Sequence, residues 1–146
     1  MNYNEIEILY AEDNADDAVL TLRALKKCGL SNRIFHVNDG AEALDFLYCR
    51  NAFSDRKPNH HLKLILLDFN MPKVSGIEVL EVVKSDNLMK LIPVVIFSSS
   101  KEEIDIKRAY EMGLNSYVVK PVDTDKFFNT IVEICTYWLN ANQATL

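Results

Sequence analysis

The chain lacks the features that would place it in a membrane or an oxidising compartment. No apolar run approaches the ~18 residues of a membrane span, and the start, M-N-Y-N-E-I, has neither the basic nor the apolar region of a signal peptide. The cysteines are Cys28, Cys49 and Cys135, odd in number, widely spaced and without a C-x-x-C. Such spacing supports neither a disulfide framework nor a zinc ligand set, and reads as reduced thiols serving as small hydrophobes. Basic charge is also scarce: 16 Lys and Arg stand against 21 Asp and Glu, a net charge of −5. Phosphate backbones demand a clustered basic surface, so nucleic acid is not an expected partner; another protein or a small ligand is. A cytoplasmic location, with no membrane association, follows as the expectation.

What the 146 residues do contain is 49% apolar and 10% aromatic content, enough to bury the core of one domain of ordinary size. Five short apolar runs alternate with helical patterns: I-E-I-L-Y (6–10), R-I-F-H-V (33–37), L-K-L-I-L-L (62–67), V-V-I-F (94–97) and S-Y-V-V (116–119). The third and fourth are apolar throughout, which suits parallel strands covered on both faces. Helix starts are marked by Asp39 with Glu42, Ser75 with Glu78 and Ser100 with Glu103, each at capping-box spacing, and more loosely by Asn14 with Asp17. Gly29 and Gly113 sit where helices take a left-handed C-cap. Strict alternation predicts a (βα)5 doubly wound α/β domain with a five-stranded parallel sheet. In such sheets ligands bind beyond the carboxyl ends of the strands.

The stretch L-I-L-L-D-F-N-M-P-K-V-S-G (64–76) ends a buried run on Asp68. A carboxylate there is costly unless something holds it. The other strand ends supply the partners: Glu12 and Asp13 after the first, Ser98 with Ser99 and Ser100 at the fourth, Lys120 before Pro121 at the fifth. Three converging carboxylates raise one another's pKa values and need cations. An all-oxygen cluster with few protein ligands suits Mg²⁺, which keeps several waters and completes its octahedron with phosphate oxygens. Lys120 adds a second positive charge, and the Ser98 hydroxyl can donate to an oxyanion.

These pieces, E-D-N (12–14), D-F-N-M-P-x-x-x-G (68–76), P-V-V-I-F-S-S (93–99) and Y-V-V-K-P (117–121), resemble in order and spacing the receiver domains of two-component response regulators. The resemblance runs from about Ile6 to about Trp138. It implies a flavodoxin-like strand order 2-1-3-4-5 and a phosphoacceptor at Asp68, which takes a phosphoryl group from a phosphohistidine on a partner kinase. It also implies Mg²⁺ held by the Asp13 and Asp68 side chains and the Asn70 backbone carbonyl, with Glu12 reaching the metal through water. Lys120 would contact the phosphoryl oxygens, Ser98 would swing toward them, and Tyr117 matches an aromatic switch position. The Lys120–Pro121 bond resembles one that is cis in the family. The protein would then be a signalling phosphoacceptor, not an enzyme in its own right. An aspartyl-phosphatase of the haloacid dehalogenase type also forms an aspartyl phosphate on a doubly wound sheet, but needs a second Asp where this chain has Asn70. A flavin carrier is disfavoured by the acidic loop A-E-D-N-A-D-D after the first strand.

Two segments depart from that pattern. Residues 48–63, Y-C-R-N-A-F-S-D-R-K-P-N-H-H-L-K, lengthen the path into the third strand and carry Arg50, Arg56, Lys57, His60, His61 and Lys63 against Asp55 alone. The expectation is a solvated basic loop; adjacent histidines without a third ligand do not make a metal site. A loop of this length resembles the receivers that partner cyanobacterial phytochrome kinases. On the last helix, Phe127, Phe128, Ile131, Val132, Ile134, Cys135, Trp138 and Leu139 span an arc of roughly 160°, wider than a core-facing stripe of about 100°. The excess, with Phe128, Val132, Cys135 and Leu139 at its edge, predicts an exposed apolar strip and a homodimer through the fourth helix, fifth strand and fifth helix. The chain ends in N-A-N-Q-A-T-L with no helix-turn-helix after the receiver pattern, so the expected output is an interaction.

Overall fold

Runs of Ile, Leu and Val too apolar to face water on either side can be satisfied only in the middle of a sheet covered by helices. The computed structural model, which describes residues 3–58 and 62–145, arranges them so. Strands β1 (Ile8–Ala11), β2 (Ile34–Val37), β3 (Leu64–Leu67), β4 (Val94–Ser98) and β5 (Ser116–Val119) form one sheet in the order β2-β1-β3-β4-β5, every pairing parallel. The inner strands β1, β3 and β4 are buried at every residue, while the edge strands β2 and β5 are partly exposed.

Helices α1 (Ala15–Lys27), α2 (Gly40–Leu47), α3 (Gly76–Ser85), α4 (Glu103–Glu111) and α5 (Thr124–Thr136) connect or follow the strands. Two cores result. One face packs Phe46 and Leu47 of α2, Val79, Leu80 and Val83 of α3 and Ala109 of α4; the other packs Ala18, Ala24 and Leu25 of α1 with Phe127, Ile131 and Ile134 of α5.

Most of the expected caps form. Asn14, Asp39 and Asp123 each accept a hydrogen bond from the third helical residue's N–H, and Ser75 with Glu78 makes a full capping box. Gly29 and Gly113 take φ of 73° and 99°, the left-handed C-cap conformation. Ser100 with Glu103 does not cap: α4 starts after Glu102, which makes no side-chain cap bond. The Ser100 hydroxyl instead donates to Asp105 Oδ2 at 3.1 Å. No peptide bond among the described residues is cis, so Lys120–Pro121 is trans, contrary to the resemblance.

The described part of the 48–63 segment is exposed along most of its length, as its composition suggests, but Phe53 and Arg56 turn inward. Its turn at Asn51–Phe53 drives Phe53 into a cluster with Tyr3, Phe35 and Phe46. Arg56 is only 5% exposed; its Nη1 donates to the Phe46 carbonyl at 2.9 Å and its guanidinium lies 4.2 Å from the Phe46 ring centroid. Arg50 and Lys63 pair with Asp45 and Glu7. His60 and His61 lie outside the described residues.

The α5 expectation also needs correction. Cys135 is fully buried and Leu139 is 5% exposed, while Phe128 and Val132 are half-buried against the same core. The wide apolar arc is shared between two neighbours, the sheet and α1. Lys27 of α1 sits 5.7 Å from the Phe128 ring, for instance. The helical path continues past α5 as a π-helical turn, Tyr137–Ala141, which carries Leu139 inward.

Candidate functional site

Each strand hands its chemistry to the residue at or just beyond its end, and backbone bonds extend the ladder to hold that residue. The Glu12 amide donates to the Val37 carbonyl, Asp68 to Ala11, and Lys120 to Ser98, at 3.1, 3.1 and 2.8 Å. Four of the five expected strand-end residues are then fixed by sheet geometry, and the fifth, Asp13, follows Glu12 at the exposed rim.

The side chains converge. Glu12, Asp13 and Asp68 each offer a carboxylate oxygen, all within 4.8 Å of one another. Lys120 reaches over them: its Nζ lies 2.6 Å from Glu12 Oε1, 2.8 Å from Asp17 Oδ2 and 3.5 Å from Asp68 Oδ2. Asp68 Oδ1 accepts from the Phe69 amide at 2.8 Å, and Glu12 Oε2 from the Asn14 amide at 3.2 Å. Burial, reinforced by the adjacent Asp68 carboxylate, pushes the Glu12 carboxyl up to about 8 against the pull of Lys120. For Lys120, burial acts to lower the pKa, but the bonds it donates to Asp17 and Glu12 and the nearby Asp68 charge outweigh it and hold the ammonium above the usual lysine range.

Backbone packing shapes the same corner. Gly76, the last residue of the D-F-N-M-P-x-x-x-G stretch, opens α3 and donates to the Phe69 carbonyl at 2.9 Å. A Cβ there would meet the Asp68 carbonyl oxygen at 2.1 Å, so the start of α3 lies directly against the Asp68 backbone. Ser98 is buried, its Oγ accepting from the Ser100 amide at 3.3 Å. Tyr117 is half-buried with its hydroxyl donating to the Ser100 carbonyl at 2.8 Å and its ring 6.5 Å from Phe69. Its backbone N–H donates to the Tyr110 hydroxyl at 3.0 Å, tying β5 to α4. Asn70 is exposed just past Asp68.

Sequence reasoning missed Asp17, which the cap pattern alone singles out, and gave Gly76 no physical role. The signal for Asp17 was present in outline. In a helix starting directly above the β1 end, a third-position acid can turn back over the strand tips.

An oxygen-only donor set of this kind, three carboxylates in reach of one ion and a lysine beside them, fits a hard divalent cation. A buried carboxylate beside a lysine, open on one side to an exposed Asp13, can accept an electrophilic phosphorus.

Comparison with known proteins agrees with the geometry. The response regulator receiver domain family matches residues 8–132. The chain belongs to that family. Among relatives of this receiver, the probable methanogenesis regulatory protein FilR2 of Methanothrix harundinacea is 37% identical over 137 residues, covering 94% of this chain and 86% of FilR2. The response regulator Rcp1 of Synechocystis is 34% identical over 133 residues, covering 90% and 88% of the two chains. The Mn²⁺-bound structure of Rcp1 superposes with a TM-score of 0.86 over 95% of this receiver and 98% of Rcp1, at 31% identity. The phosphorylated cyanobacterial phytochrome response regulator RcpA superposes with a TM-score of 0.87 over 97% and 99%, at 32% identity. The receiver fold and strand order expected from the sequence are those found. No helix is long and apolar enough to cross a membrane among the described residues.

Proposed function

We propose that this receiver accepts a phosphoryl group on Asp68 from the phosphohistidine of a sensor histidine kinase, in a Mg²⁺-dependent reaction, and signals through the α4–β5–α5 face. The observation that carries the reading is the placement of Lys120 Nζ 2.6 Å from Glu12 and 3.5 Å from Asp68 in a cluster of three carboxylates. An Asp68 carboxylate oxygen attacks phosphorus, the P–N bond breaks, and its electron pair returns to the imidazole, which is protonated as it leaves. Glu12, Asp13, Asp68 and the Asn70 carbonyl would hold the ion, which supplies charge neutralisation for two anions brought together. Lys120 meets a phosphoryl oxygen and Ser98 turns its hydroxyl to another.

Tyr117 then reports the change to α4, through Ser100 and Tyr110. An identical Tyr117 rotamer in structures with and without a phosphoryl mimic would rule that out. The apolar groups available to a partner, or to a second copy in a homodimer, are Ile104, Tyr110, Val119 and Val122, all exposed. Sedimentation showing only monomer with and without the mimic would eliminate the dimer. The likeness to RcpA supports a kinase of the phytochrome class as donor; phosphotransfer from such a kinase no faster than from an unrelated one would remove it.

The test of the central reading is intact-mass analysis after incubation with acetyl phosphate. Wild type gains one phosphoryl group with Mg²⁺ and none in EDTA, and Asp68→Asn gains none in either. A wild type that stays unlabelled with this donor and with phosphorylated kinases overturns the reading.

A further inference from the structure

Lys120 has three N–H bonds to give, and the structure shows where each is directed. Among the described residues its ion-pair partners are Glu12, Asp17 and Asp68. The bonds to Glu12 and Asp17, at 2.6 and 2.8 Å, are formed. The 3.5 Å approach to Asp68 is too long for a third. A lysine side chain is long and flexible, and with one tether its ammonium would settle on the nearest available carboxylate, Asp68, which is also the acceptor. The second tether prevents this. Asp17 stands on α1, and its bond to the ammonium accompanies a 3.5 Å separation from the acceptor, beyond a bond's reach. With two bonds formed, the ammonium keeps one N–H that is not hydrogen-bonded to a carboxylate of the cluster.

A group bonded to an Asp68 oxygen carries its own oxygens to the side of that 3.5 Å approach, where the ammonium can reach one of them. The geometry points to Asp17 as a positioning residue for phosphoryl transfer: it holds Lys120 so that its third N–H is reserved for the incoming phosphoryl oxygen. This rests on Asp68 being the acceptor and adds a residue that the family resemblance did not supply. Asp17 does not touch the reacting atoms; it acts through Lys120. Its removal has two effects of opposite sign. Loss of one negative charge eases the approach of an anionic donor, and loss of the tether lets Lys120 fall onto Asp68, occupying the nucleophile and vacating the oxygen's seat. The first acts on half-saturation, the second on the maximal rate.

The experiment compares wild type, Asp17→Asn, Asp17→Glu and Asp16→Asn for initial phosphorylation rate against acetyl phosphate concentration, with Mg²⁺ affinity measured calorimetrically on each unphosphorylated protein. Asp16 is exposed and one position away, so Asp16→Asn removes the same charge without cutting the tether. Expected is a maximal rate about tenfold lower for Asp17→Asn, of the order that loss of a positioning contact produces. Half-saturation should be equal or lower, and Mg²⁺ affinity within threefold of wild type. Asp17→Glu, which keeps the carboxylate, should recover to within threefold, and Asp16→Asn should stay within twofold. A maximal rate for Asp17→Asn within twofold of wild type, or above it, overturns the inference and leaves Asp68 as acceptor. An equal fall in Asp17→Glu, or in Asp16→Asn, also overturns it. A wild type that takes no phosphoryl group overturns the acceptor reading together with the inference.

Discussion

Gly76 offers the sharpest test of how the fold holds Asp68. A Cβ added there would lie 2.1 Å from the Asp68 carbonyl oxygen, 3.0 Å from its carbonyl carbon and 3.1 Å from Phe69 Cα. All three are backbone atoms, so no rotamer change relieves the overlap. The N-terminus of α3 must retreat by about 1 Å to restore ordinary contact, in an interior too densely packed to absorb such a shift. That retreat stretches the 2.9 Å bond from the Gly76 amide to the Phe69 carbonyl and disturbs the capping box that Ser75 and Glu78 form one residue earlier. Overpacking of a rigid site falls at about 3 kcal/mol. For a chain of this size that lowers the melting temperature by about 12 °C.

Gly29→Ala supplies the internal control. Gly29 has φ of 73° with nothing within 4 Å of the added Cβ, so only left-handed strain acts, at about 1 kcal/mol and about 4 °C. Thermal and urea unfolding of the two variants separate steric from conformational loss. The functional readout follows the structural one. Asp68 is displaced along with its own carbonyl, so Gly76→Ala should label with acetyl phosphate more slowly than Gly29→Ala even at temperatures where both are fully folded. A Gly76→Ala protein that melts no lower than Gly29→Ala, or labels at the wild-type rate, would refute the argument that the glycine exists to let α3 close on Asp68.

Two further outcomes follow from the burial and charge of named groups. In EDTA, Glu12 binds its proton more tightly folded, at about 8, than at the ordinary carboxylate value of 4.5. The native state therefore holds more protons across that window, and unfolding free energy falls as pH rises from about 5 to about 8; Glu12→Gln should flatten that slope in parallel urea titrations. Leu139→Ala should lower stability by about 3 kcal/mol at every protein concentration, because Leu139 is a core residue; a loss that appears only above the dimerisation range would restore it to an interface.

The parts of the fold legible in the sequence are those where neighbouring residues carry the signal. Three-residue cap spacings predicted the starts of α1, α2 and α3, and apolar runs flanked by polar residues predicted all five strands to within two residues. What failed depended on distant partners. Asp17 and Lys120 are 103 positions apart, so nothing local marks their bond. Arg56 is charged and sits among loop residues, yet the Phe46 ring and carbonyl give it a buried seat that composition cannot register. The α5 arc was judged against the sheet alone, when α1 closes over its second edge. At Ser100 the local cap pattern was present, but the tertiary demand of Asp105 and Tyr117 took the residue.

The charge balance at the strand tips ties these findings to the chemistry. Among the described residues, Lys120 is the one ammonium paired with this cluster, against the carboxylates of Glu12, Asp17 and Asp68 and the adjoining Asp13. One cation cannot neutralise four anions, and the excess is relieved where burial makes charge most expensive, at Glu12, whose carboxyl is driven up to about 8. A proton on Glu12 and a divalent cation in the cluster are alternative answers to the same excess, so metal binding should release protons near neutral pH and weaken as pH falls. A phosphodonor is itself an anion and meets that same field. Without a divalent cation it would meet a cluster whose net charge stays negative, because among the described residues the Lys120 ammonium is the cation paired there and it is shared with Glu12 and Asp17. On the proposed function, the surplus of carboxylates that favours a divalent cation would also hold off an anionic phosphodonor while the cation is absent.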